Sequence, residues 1–203
     1  MTIYLHSQDL PAGLRFGPAL AVDTETMGLN LAHDRLCLVQ LSDGNGDAHL
    51  VQIAKGQSAA PNLGAVLEDP NITKIFHFAR FDLAALKIWL HIHTRNIYCT
   101  KIASRLVRTF TDKHGLKYLA KDLIDLEMSK QEQSSDWGAP NLTDKQKEYA
   151  ASDVLHLHKI KAILDEMLAR EGRMELAQAC FDFLPTRADL DIAGWNDIDI
   201  FAH

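Results

Sequence analysis

The alternation of apolar and polar positions changes character several times along the chain, and each change marks an element. "ALAVDTE" (19–25) is a run of small and branched apolar residues that predicts a buried strand ending on two acids. "RLCLVQLS" (35–42) and "DAHLVQI" (47–53) are β-rich runs joined by "DGNG", a strong hairpin signal, so these three strands are expected to form an antiparallel meander. "APNLGAVLED" (60–69) has helical spacing. "TKIFHF" (73–78) reads as a short strand, and "FDLAALKIWL" (81–90) as an apolar helix that begins at or near Asp82. "NIYCT" (96–100) makes a fifth strand. From "KIASRLV" (101–107) onward the pattern is mostly helical, with a loop at "SKQEQSSDWGAPNLT" (129–143) and Thr143 capping one long helix from about Lys145 to Arg170. Strands followed by alternating helices and strands make an α/β fold: a mixed sheet flanked by helices.

Length and composition narrow the setting. No linker divides the 203 residues, so one domain over 1–203 is expected, and the segment after Gly172 is too short to stand alone. Its end, "ADLDIAGWNDIDIFAH", is too apolar for a free tail and should dock, on its own core or on another subunit. No apolar run approaches the roughly 18 residues of a membrane span, and the N-terminus lacks a secretory design, so a cytoplasmic protein is expected. Three widely spaced cysteines offer neither a disulfide framework nor a metal motif. The net charge of -6 argues against a protein that coats long nucleic acid. Six Lys/Arg against two Asp in 101–122 make one basic stretch, in which Lys101, Arg105 and Arg108, and Lys113, Lys117 and Lys121, are spaced to share helix faces. A solvated face and phosphate attraction both account for it.

Candidate chemistry centres on acids. Strand alternation points Asp23 and Glu25 to one side and Thr24 to the other. Two like charges held so close repel, and a divalent metal relieves them. Asp82 stands where a strand gives way to a helix, which is also an ordinary place for a first-turn acid. "YAASDV" puts Tyr149 and Asp153 one turn apart on one helix face. The pairs His91/His93 and His156/His158 lack matching partners and are set aside as metal ligands.

Asp-x-Glu, then Asp at the start of a central helix, then Tyr-x-x-x-Asp on a late helix resemble, in this order, the DEDDy family of 3'-5' exonucleases. "SKQEQSSDW" followed by "YAASDV", and "KIFHFARFDL", are similar to the ribonuclease D branch. "DTETMGLN", "TKIASRL" and "GWNDIDIFAH" are similar to the short, single-domain nanoRNase C type within it. The resemblance implies a ribonuclease H-like, mixed five-stranded sheet flanked by helices. It also implies two divalent cations, Mg2+ or Mn2+, held by Asp23, Glu25, Asp82 and Asp153, with Tyr149 orienting the attacking water. The implied substrate is very short RNA, down to dinucleotides, cut to 5'-mononucleotides by a ring-like homo-oligomer. Leu29 falls where the family places an apolar wedge between the terminal bases. Thr24, His77, Arg80, Lys101, Lys130, Ser134 and Ser135 are further candidates for substrate contact, each with an ordinary structural role as its alternative. The ribonuclease D branch usually shows Arg-Pro-Leu after "SDW", whereas this chain has "GAPNLT", so an arginine contact expected there is missing. Trimming of structured RNA 3' ends, such as transfer RNA precursors, and a non-catalytic RNA-binding module are the competing readings.

Overall fold

A computed structural model describes residues 2–129, 132 and 134–202. Its centre is a six-stranded sheet in the order β1-β4-β3-β2-β5-β6, built from β1 (Ile3–Ser7), β2 (Ala19–Thr26), β3 (Leu36–Ser42), β4 (Ala48–Gln52), β5 (Thr73–Phe76) and β6 (Ile97–Cys99). The helices are α1 (Pro61–Leu67), α2 (Ala79–Leu90), α3 (Thr100–Val107), α4 (Leu116–Ile124), α5 (Asp144–Leu155), α6 (Leu157–Arg170) and α7 (Met174–Ile192). β2, β3 and β4 form the expected antiparallel meander, while β5 and β6 add in parallel beside β2. The helices cover both faces, with α5 lying across β2, β3 and β4.

The sheet has one strand more than the sequence pattern predicts. β1 runs parallel to β4, so no hairpin turn announces it, and only Ile3 of its five residues packs into the core beside Leu38 and Trp137. His6 and Tyr4 instead meet His49 on the opposite face.

Helix boundaries differ from expectation in three places. α2 starts at Ala79, three residues before Asp82, because Phe78 adopts a left-handed conformation (φ 73°) that turns the chain straight out of β5. The long late helix is two: Thr143 and Gln146 form a reciprocal capping box at the start of α5, but His156 (φ -108°, ψ -6°) separates it from α6. That break lets α5 lie on the sheet while α6 packs against α3 and α4. The basic stretch does not form two helix faces. Arg108 is buried beyond the end of α3, paired with Asp122 and donating to the Lys113 carbonyl (3.0 Å), and Lys113 precedes α4.

The segment after Gly172 docks on its own chain. Ala177, Phe181, Leu184 and Ala188, spaced by four, three and four, are the buried stripe of α7. Arg80 ties α2 to α7 by donating from Nε and Nη2 to Asp191 (2.7 and 2.5 Å), and Lys87 pairs with Asp189. Beyond α7, Trp195, Ile198 and Phe201 stay exposed.

Candidate active site

β2 pairs with β5 only over Ala19–Ala21 and then runs on alone toward its carboxylates. Past that point β3 is its one partner, placing Gln40 opposite Asp23 and Leu38 opposite Glu25, with a bulge between Glu25 and Thr26. Cross-strand partners share a face, so Asp23 and Glu25 look toward α5, which brings Asp153 to them. One carboxylate oxygen from each of Asp23, Glu25 and Asp153 lies within 4.8 Å of the others. Asp82 reaches the cluster from α2 and is held by Thr24, whose hydroxyl donates to Asp82 Oδ1 (2.7 Å, both buried).

Burial first, and mutual repulsion second, push these acids upward. Glu25 is raised to about 9 by burial and by the charges of Asp153 and Asp82. Burial raises Asp82 and Asp153 to about 7 each, against the hydrogen bonds from Thr24 and Tyr149. Asp23 is raised well above the usual range by burial and by Asp82, Asp153 and Glu25. Without a cation the cluster is therefore partly protonated at neutral pH. An all-oxygen, carboxylate-only set fits a hard divalent cation, which would let all four ionise.

Tyr149 lies beside Asp153, one turn earlier on α5, and packs at a tilt on Trp137 (6.0 Å between ring centres). Burial and the neighbouring acids raise its phenol above its ordinary value, so it is a donor here and not a base.

The cluster lies at the floor of a cleft of about 600 Å³, and Leu29, 86% exposed, stands at its rim. His77, Lys101, Ser134 and Ser135 also line it. The Thr100 hydroxyl donates to the Phe76 carbonyl (3.1 Å), so His77 Nδ1 donates to Thr100 (2.9 Å) and Nε2 is left as an acceptor. Burial, reinforced by Lys101, pushes His77 down to about 3 and keeps it neutral. Lys101 Nζ sits 4.0 Å from the centre of the Phe78 ring, and Ser135 donates to Glu132 (2.6 Å). Arg80 does not line this cleft. It is committed to Asp191 and the Asn196 carbonyl, on an adjoining cavity that shares Leu29, Phe78 and Phe81. Lys130 lies outside the described residues.

Sequence reasoning left out Met27, Phe78, Phe81, Tyr118 and Trp137 as cleft-lining residues. Trp137 lay inside the quoted "SDW", Met27 inside "DTETMGLN", and Phe78 and Phe81 inside "KIFHFARFDL", whereas Tyr118, on α4, carried no signal. Lys117, from the basic stretch, also lines the cleft.

Residues 6–169 match the family described as 3'-5' exonuclease. The ribonuclease D of Gluconacetobacter diazotrophicus is 36% identical over 163 residues, covering 80% of this chain and 41% of that protein. The chain spans less than half the length of the curated ribonuclease D proteins it matches. Brucella melitensis NrnC with bound Mg2+ superposes with a TM-score of 0.95 at 53% identity over 100% of both chains, and the same protein bound to pGG gives 0.95 at 54% over 100% of this chain and 99% of that one. Escherichia coli RNase D, an exoribonuclease involved in structured RNA processing, gives 0.76 at 28% identity over 89% of this chain and 48% of that one.

Proposed function

The chain belongs to the 3'-5' exonuclease family, and on that premise we propose that it is a metal-dependent 3'-5' exoribonuclease that hydrolyses very short RNA, dinucleotides included, to 5'-mononucleotides. The observation that carries this reading is the convergence of Asp23, Glu25 and Asp153 within 4.8 Å, with Tyr149 lining the same cleft. The whole chain, 1–203, acts as one exonuclease domain. Its overlap along its full length with Brucella NrnC, solved with Mg2+ and with pGG, supports the short substrate.

Asp23, Glu25, Asp82 and Asp153 would hold two divalent cations, Mg2+ or Mn2+. Bound there, the cations would acidify water, shield the phosphate and stabilise the departing 3'-oxygen. The chain's own residues arrange the rest. Thr24 holds Asp82 in register, and Tyr149 fixes the position of the attacking water through its hydroxyl. His77, neutral and accepting at Nε2, suits a ribose hydroxyl better than a phosphate. Lys101, and the hydroxyls of Ser134 and Ser135, face the cleft where phosphate oxygens would pass. Leu29 projects from the rim far enough to part the last two bases. Lys130 is proposed as a phosphate contact on the sequence resemblance alone, and Arg80 serves the substrate only through the segment it anchors.

The net charge of -6 disfavours long RNA and leaves a local pocket sufficient for a short one. Among the described residues no helix is long and apolar enough to cross a membrane, consistent with work in the cytoplasm. The exposed Trp195, Ile198 and Phe201 support assembly into a homo-oligomer. A product time course with 5'-labelled RNAs of two to about ten nucleotides, in Mg2+ and in Mn2+, tests the reading. Dinucleotides should be consumed at least as fast as longer RNAs. A rate that climbs with length would favour trimming of longer RNA, and no cleavage in either metal would favour the non-catalytic module.

A further inference from the structure

Arg35 stands where two walls of the cleft meet. Its backbone carbonyl accepts from Met27 N (3.0 Å), which closes the pairing of β3 with the turn that follows the acids of β2. Its guanidinium faces the other wall. Nη2 donates to the Gly138 carbonyl (3.3 Å), and Nη1 to the carbonyls of Ile53 (3.0 Å) and Leu36 (3.3 Å). Gly138 directly follows Trp137, the residue stacked on Tyr149, in the loop that also carries Ser134 and Ser135.

The space is shaped for this contact. A Cβ on Gly138 would lie 2.6 Å from Met27 Sδ and 3.1 Å from Arg35 Nη2, so the glycine admits both side chains from the opposite wall. The loop thus receives its guanidinium from the residue just before β3, at the position where its own sequence supplies a hydrogen atom for a side chain. Gln52 and Gln146 add single-sided ties, to the Ala139 carbonyl (2.9 Å) and to the Asp136 carbonyl (3.2 Å). Arg35 alone of these also holds the Met27 turn.

From this geometry we propose that Arg35 is a positioning residue for the hydrolysis. It fixes the separation of the acid-bearing strand and the Ser134–Pro140 loop, and through Trp137 it sets where the Tyr149 hydroxyl stands. It touches no reacting atom. The proposal rests on the exonuclease reading only for its kinetic part.

The test uses Arg35→Met and Arg35→Lys in a Trp89→Phe, Trp195→Phe background, where Trp137 is the sole indole. Trp137 is 2% exposed, so acrylamide should quench it poorly in the parent and several-fold better in Arg35→Met. The Mg2+ midpoint should stay within about twofold, since no carboxylate is changed. With a dinucleotide RNA, kcat should fall about ten- to a hundredfold while KM moves less, the signature of a misplaced group. Arg35→Lys should recover part of both signals, because an ammonium still donates to carbonyls but lacks the planar fork. Unchanged quenching, unchanged kcat, or a kcat loss that merely tracks lost Mg2+ affinity and a lowered melting temperature would overturn it. Should Arg35→Met not fold, Arg35→Lys carries the same readouts, and parental quenching and kcat in that variant overturn the proposal. A parent inactive on every RNA would sink the functional reading, while the quenching result would still decide whether Arg35 holds the Ser134–Pro140 loop.

Discussion

Crowding of four buried acids makes the metal-free protein's stability fall as pH rises. A carboxyl whose folded pKa is raised keeps its proton in the native state after the unfolded chain has lost it near pH 4. Its contribution is complete below that point and is lost as pH climbs through the folded value. For Asp82 and Asp153 that value is about 7, and for Glu25 about 9. One such proton is worth roughly 1.4 kcal/mol per pH unit, so a single carboxyl gives up about 3 kcal/mol between pH 5 and 7. The four are coupled and their losses do not add, so one proton is the working figure. For a chain of this size that is a drop in Tm of roughly 6 to 12 °C. Melting curves in EDTA at pH 5, 6, 7 and 8 should show it. Saturating Mg2+ should raise Tm far more at pH 8 than at pH 5, because the cation binds the ionised cluster. Equal melting temperatures in EDTA across that range, or an equal Mg2+ shift at both ends, would refute the electrostatic account of the site.

If Tyr149 orients the water and holds no metal, as proposed, Tyr149→Phe should cost about a hundredfold or more in kcat while an Mg2+ titration of the variant stays close to the parent's. Thr24→Val removes the hydroxyl that donates to the buried Asp82 Oδ1. It should lose about 1 to 3 kcal/mol by chemical denaturation and push the Asp82 carboxyl still higher, weakening metal binding at pH 6 more than at pH 8. Asp191→Asn leaves Arg80 and Arg187 facing a neutral amide. With the Arg80 side chain 31% exposed, roughly 2 to 3 kcal/mol is expected, less than for a fully buried pair. Limited proteolysis should then clip the segment after Ala193 earlier than in the parent.

The acids were legible because their roles constrain their spacing. A strand period of two places Asp23 beside Glu25, and a helix period places Tyr149 over Asp153. The meander was equally open to reading, since "DGNG" dictates a turn. What escaped has a common cause, namely contacts made by backbone groups or between remote segments. β1 joins by a parallel crossover with no turn of its own to mark it. The start of α2 is set by one left-handed residue, Phe78, whose type does not announce that conformation. Arg108 looked like surface charge and is buried because the Lys113 carbonyl, in the turn after α3, and Asp122, on the next helix, receive it. The α7 stripe of Ala177, Phe181, Leu184 and Ala188 went unread, since Pro185 within it argues against a helix that in fact tolerates the proline.

The parting of β2 from β5 after Ala21 has an evolutionary consequence. A strand laddered on both sides shares the work of alignment between two neighbours, and either can drift while the other holds. The acid-bearing end of β2 has only β3, seven consecutive buried residues, to fix where Asp23 and Glu25 stand. Positions such as Leu38 and Gln40 should then accept as little substitution over time as the acids do, although they carry no chemistry. A deep mutational scan under selection for nuclease activity should show that intolerance along β3, and less of it along β4, which does not pair with β2.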